Sequence, residues 1–184
     1  MSLTVVEPSI NMFPAIVELF TDSITKTFEL NGIKDLKELE YEINEKSERV
    51  RNFLDSKNDN ELFMIVESDN YIAGIAGIYS VSDTIIKNYP TLSTNDIEIG
   101  SVYIKPEYQR QGITRILLKR LLNELWERKI YRFYLDCGYS TSQVYWKKLF
   151  GNPIKTFPNY FGKDESYMIW EIDTEEAIKR INQD

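Results

Sequence analysis

Apolar residues recur along this chain with two different periods, and the changes of period mark out strands and helices. Leu3 to Glu7 alternates as a first strand. Asn11 to Phe28, with Pro14 near its start and Ile16, Leu19, Phe20 and Ile24 on one face, predicts a helix ended by Asn31-Gly32. A second helix from Asp35 to Leu54 sets Leu36, Leu39, Ile43, Val50 and Phe53 among many charges, and Ser56 to Asn60 reads as a loop. Glu61 to Ser68 and Tyr71 to Val81 are β-rich runs joined by Asp69-Asn70, the pattern of a hairpin. A β-branched run from Ile97 ends at Ile104, Pro106 stops it, and Ile113, Leu117, Leu121 and Leu125 fall at helical spacing just past Gly112. Tyr131 to Cys137 then predicts a strand and Ser142 to Leu149 a short helix broken by Phe150-Gly151-Asn152-Pro153. Tyr167 to Ile172 is a last strand and Glu175 to Ile181 a terminal helix.

The stretch from Ile97 to Thr114 is where this pattern acquires chemistry. A helix beginning at Gly112 presents backbone N–H groups with no intrahelical acceptor, together with the positive end of its dipole, and the glycine lets an anionic group approach closely. A phosphate or pyrophosphate fits such a turn. The turn lacks the Lys-Ser/Thr ending of a Walker A loop and the three glycines of a Rossmann turn. Gly74 and Gly77 lie inside a strand with no helix following, which points to tight strand packing. Lys105, Arg110, Arg115, Lys119 and Arg120 cluster around the turn and could draw in an anion, or simply solvate a helix face.

Composition narrows the choices. A chain of 184 residues, 42% apolar, can bury one sizeable core, so a single domain over 1–184 is expected. No apolar run approaches the about twenty residues that span a bilayer, and no secretory leader is evident, which predicts a cytoplasmic protein without membrane association. With one cysteine and no histidine, a metal site is not expected, and Ser-His or Cys-His nucleophile pairs are excluded. Proton transfer must use Glu, Asp, Tyr, Lys, Cys or water. A net charge of −7 argues against nucleic acid as a partner.

The run Gln109-Arg110-Gln111-Gly112-Ile113-Thr114 resembles the pyrophosphate-arm signature Gln/Arg-x-x-Gly-x-Gly/Ala of the GNAT superfamily of N-acetyltransferases, with Thr114 where a small residue is usual. Tyr103-Ile104-Lys105-Pro106-Glu107-Tyr108-Gln109 is similar to the connection that precedes that signature, and Glu98 stands where several of these enzymes carry a general-base glutamate. The resemblance is strongest from Ile97 to Gly151. It implies an α/β (α+β) fold, a mixed central sheet of about six to seven strands flanked by helices, with a splayed parallel strand pair forming the cofactor cleft.

Acetyl-CoA as cosubstrate, a primary amine of a small molecule or peptide as acceptor, and direct transfer without metal are what the resemblance implies. On that reading Glu98 accepts the amine proton, the Val102 N–H polarises the thioester, and the backbone at Ile104 pairs with the pantetheine arm. Gln109, Arg110, Gln111, Gly112, Thr114 and Arg115 hold the pyrophosphate, and Ser142 stands near where an asparagine commonly touches coenzyme A. Tyr145 protonates the leaving thiolate, although Tyr145-Trp146-Lys147-Lys148-Leu149-Phe150-Gly151 shifts the family's glycine by one and leaves Trp146 as the other occupant of that position. A non-catalytic acyl-CoA-binding or regulatory module of the same fold is the alternative, and a phosphate-binding domain unrelated to acetyl transfer is a third. Acidic residues between Glu38 and Glu48 would suit a cationic acceptor or a solvated helix face, and strand edges near the C-terminus would allow a homodimer.

Overall fold

A computed structural model of the chain describes residues 3–56, 58, 60–68 and 71–183; the expected turn at Asp69-Asn70 and parts of the 56–60 loop lie outside them. The strands are β1 (Leu3–Val6), β2 (Leu62–Ser68), β3 (Tyr71–Ser80), β4 (Ile97–Ile104), β5 (Arg132–Cys137), β6 (Lys155–Gly162) and β7 (Glu165–Asp173). The helices are α1 (Phe13–Asn31), α2 (Leu36–Ser56), α3 (Asp83–Asn88), α4 (Ile113–Glu127), α5 (Ser140–Phe150) and α6 (Thr174–Gln183). A seven-stranded sheet runs in the order β1-β2-β3-β4-β5-β7-β6. The β1/β2, β2/β3, β5/β7 and β6/β7 pairs are antiparallel, and β4 pairs with β5 in parallel, with Glu98 opposite Tyr134. This mixed, helix-flanked sheet is the architecture the resemblance implies.

The chain divides into two compact units, Met1–Ile78 with Ser101–Leu121, and Tyr79–Gly100 with Leu122–Asp184. In the first, α1 buries Ile16, Leu19, Phe20, Ser23, Ile24 and Phe28, a 3.6-residue stripe, and ends where Gly32 takes φ 70 and returns its N–H to Glu29 and Phe28 carbonyls. α2 buries Ser47, Val50 and Phe53, but Leu36 in its first turn is 71% exposed. Gly74 and Gly77 are packing glycines: a Cβ would meet Ile104 Cδ1 at 2.6 Å and Phe63 Cε1 at 2.5 Å respectively.

In the second unit Val81, Ile85, Leu92, Tyr134, Tyr167 and Ile169 form one buried cluster, with Ile86, Tyr89, Phe157 and Tyr160 against it. The six-residue α3, too short to show a period, was not expected; Ser82 caps it by accepting the Ile85 N–H at 3.4 Å. β6, one of the two strands expected after α5, has an exposure pattern with little alternation, so its bounds are not readable from period. Its register against β7 shifts between Phe157 and Gly162, and Asn159 there takes φ 57.

Candidate active site

β4 is regular until Ser101, a buried residue with φ 51. A left-handed serine inside a strand reorients the peptide that follows and breaks the regular alternation beside the half-buried Val102. The Ile104 carbonyl accepts Ser23 Oγ at 3.1 Å and Gln109 Nε2 at 3.2 Å. Pairing of Ile104 with an extended ligand would therefore use its amide rather than its carbonyl.

After Ile104 the chain makes a 3-10 turn over Pro106–Tyr108, then Arg110 at φ 63 and Gly112 at φ 80 bring it to α4. The Ile116 N–H donates to the Gly112 carbonyl at 3.1 Å, so the amides of Ile113, Thr114 and Arg115 precede the helical ladder at the positive end of α4. A Cβ on Gly112 would meet nothing within 4 Å, which leaves open space over this turn. Successive amides with left-handed residues between them make a concavity for an anion. Gln109 and Gln111 are exposed, but each donates its side-chain amide to a backbone carbonyl, Gln111 Nε2 to Glu107 at 2.9 Å, so both brace the turn. Arg110 is exposed, and Thr114 and Arg115 are half-buried.

One expected member of the basic cluster is withdrawn from it. Lys105 is 7% exposed, and its Nζ lies 2.6 Å from Glu18 Oε1 and 3.4 Å from Asp22 Oδ2. The hydrogen bond to Glu18 holds its ammonium above the usual lysine range despite burial. Its charge is answered by α1 and is not a field source for an incoming anion.

In the second unit Glu98 is 4% exposed and Oε2 accepts the Ser82 N–H at 3.0 Å. A Cβ on Gly100 would lie 2.6 Å from Glu98 Oε1 and closer still to the Tyr79 hydroxyl, so glycine makes room for the carboxylate. Tyr134, opposite Glu98, donates to Glu171 Oε2 at 3.1 Å, and burial pushes its phenol up to about 12. Tyr167 donates to Asp136 Oδ2 at 2.7 Å; burial first, then the Asp136 charge, push this phenol far above the usual range, with Glu98 adding to the effect. The sequence reading missed Ser82, Tyr167 and Asp136, whose partners stand 16 or 31 positions away.

On α5, Trp146 is buried and stacks on Phe150, whereas Tyr145 is 39% exposed. Of the two aromatics, Tyr145 is the solvent-accessible one. Ser142 is half-buried in the first turn, its N–H on the Tyr139 carbonyl at 3.1 Å. The turn into α5 is held by Gln143, whose Nε2 bridges the Cys137 and Ser166 carbonyls at 3.1 and 2.7 Å.

A family model for the acetyltransferase (GNAT) family matches residues 30–151, a span that contains every residue assigned above from Glu98 to Tyr145. The chain belongs to the GNAT acetyltransferase family. Solved GNAT-type structures share its fold. The PaiA N-acetyltransferase from Thermoplasma acidophilum, in complex with coenzyme A, is 19% identical with a TM-score of 0.69, covering 93% of this chain and 99% of that one. An N-acetyltransferase from Staphylococcus aureus Mu50 is 20% identical at TM-score 0.66, covering 95% and 99%. YncA from Salmonella typhimurium, a putative acetyltransferase with acetyl-CoA, is 16% identical at 0.66, covering 96% of each. No curated protein matches the sequence. Among the described residues no helix is long and apolar enough to cross a membrane.

Proposed function

We propose that this GNAT acetyltransferase moves an acetyl group from acetyl-CoA to a primary amine of a small molecule or peptide by direct attack. The observation that carries the reading is the continuous path from left-handed Ser101 through the braced turn to the α4 amides, inside the matched family segment. The open space over Gly112 and the outward amides fit a pyrophosphate.

Acetyl-CoA supplies an acetyl thioester. The amides of Gly112 to Arg115, the Thr114 hydroxyl and the side chains of Arg110 and Arg115 bind its pyrophosphate, with Gln109 and Gln111 fixing the backbone that does so. Ile104 orients the pantetheine arm through its amide, and Ser142 contributes a hydroxyl at the start of α5. The Val102 N–H stabilises negative charge developing on the carbonyl oxygen. Glu98 accepts the amine proton through water as the N–C bond forms; the C–S bond breaks, and Tyr145 returns a proton to the thiolate sulfur. The Ser82 amide keeps the Glu98 carboxylate oriented for that step.

Release of coenzyme A thiol tests the reading. Purified protein given acetyl-CoA and a panel of polyamines, amino acids, aminoglycosides and peptides is expected to release thiol with at least one amine. Binding of acetyl-CoA without release for any amine would favour the non-catalytic module, and absence of binding would remove the family reading of the turn.

A further inference from the structure

Side chains of α1 grip the strand end that feeds the anion turn. Lys105 follows β4 directly and stands one residue before the 3-10 turn. Its side chain is 9% exposed, while the two carboxylates that hold it, Glu18 and Asp22, are 63% and 44% exposed and lie four residues apart on one face of α1. The next residue of α1, Ser23, donates to the Ile104 carbonyl, which also receives Gln109. On the strand side the Lys105 amide donates to the Ala73 carbonyl at 3.0 Å. The Ile104-Lys105 peptide is thus fastened from three directions, and the turn begins from a fixed point.

Exposed ion pairs contribute little, but here the cationic end is buried, and a buried ammonium without its carboxylates is strongly unfavourable. The arrangement also runs against simple electrostatics. Two exposed carboxylates stand beside the strand leading into a turn suited to an anion, where negative charge by itself would repel the guest.

We infer that Lys105, with Glu18, Asp22 and Ser23, is a positioning set for the cofactor turn, and that Lys105 is not a phosphate ligand. This rests on the proposed reading of the turn as the coenzyme A site. The set raises coenzyme A affinity by holding the α4 amides in register with the strand end, although two of its members carry the wrong charge for direct attraction.

The sign of one measurement decides it. Removing two negative charges in the double variant Glu18→Gln/Asp22→Asn tightens coenzyme A binding if the carboxylates act only through the field. Binding weakens by about fivefold if they act through Lys105. Calorimetric titration of the full chain with coenzyme A at fixed ionic strength reads this directly, with a cooperative melt to establish that the variant is folded. Tighter or unchanged binding overturns the inference. Should the double variant not fold, Ser23→Ala decides instead, since it alters no charge: binding about two- to threefold weaker supports the positioning set, and wild-type binding overturns it. A wild-type chain that does not bind coenzyme A refutes the reading of the turn itself, an outcome distinct from variants that bind as well as wild type.

Discussion

The turn before α4, proposed to hold the cofactor's pyrophosphate, and the Glu98 neighbourhood are built from opposite materials. The turn is built from backbone: the amides of Ile113 to Arg115 precede the helical ladder, its glutamines are spent on bracing, and Gly112 leaves room above it. Around Glu98 the backbone is regular strand, and the chemistry sits in buried side chains whose charge is oriented by Ser82 and flanked by Tyr79, Tyr134 and the Tyr167–Asp136 pair. Backbone sites tolerate change of side chain but not of dihedral angle. Side-chain sites tolerate the reverse.

The largest expected effect tests the side-chain half. Glu98→Gln keeps an oxygen for the Ser82 N–H and so keeps the fold, but it removes the proposed proton acceptor; kcat should fall about 100-fold with coenzyme A affinity unchanged. A wild-type rate from thiol release would remove Glu98 from the reaction. Next comes the backbone half. Gly112→Val places a β-branched residue at φ 80, where the penalty is conformational because no neighbour crowds the position. Affinity for coenzyme A should drop about tenfold, in keeping with a left-handed cost of about 1–2 kcal/mol, with less effect on kcat. Unchanged affinity in a calorimetric titration would show that the turn is not the anion site.

Tyr145→Phe should lower kcat about five- to tenfold and spare cofactor affinity, since only the hydroxyl is lost from an exposed ring. The smallest effect is a control from outside both regions. Burial works to raise the Glu45 carboxyl, but the Lys46 and Arg49 charges prevail and hold it below its usual range. A depressed carboxyl stabilises the fold above its unfolded pKa, and that contribution disappears as pH falls through the folded value. Glu45→Gln should thus cost under about 1 kcal/mol at neutral pH, with the difference in urea midpoint vanishing in acid.

What the sequence made legible follows the same division. The end of β4, the turn and the start of α4 were readable because Pro106, Gly112 and the leucine spacing act on their immediate neighbours. Gly32 as the stop of α1 was readable for the same reason. The surroundings of Glu98 were not, because Ser82 and Glu98 meet only after α3 and the following loop have folded between them. Lys105 looked like part of a basic cluster because its main partner on α1, Glu18, is 87 positions away in sequence. Tyr145 and Trp146 are adjacent residues of one helix, and only packing against Phe150 separates the buried ring from the exposed one.

β6 closes the sheet order and so presents an unpaired rim, the usual starting point for one molecule to recruit another as an added strand. Pro158 removes a donor from that rim, the left-handed Asn159 twists it, and the shift between Phe157 and Gly162 spoils any straight run of donors and acceptors. Its irregularity acts as a guard on solution behaviour. Straightening it, by replacing Pro158 and Asn159 with β-branched residues, should leave the chain folded yet prone to sticky, concentration-dependent association, which light scattering would register.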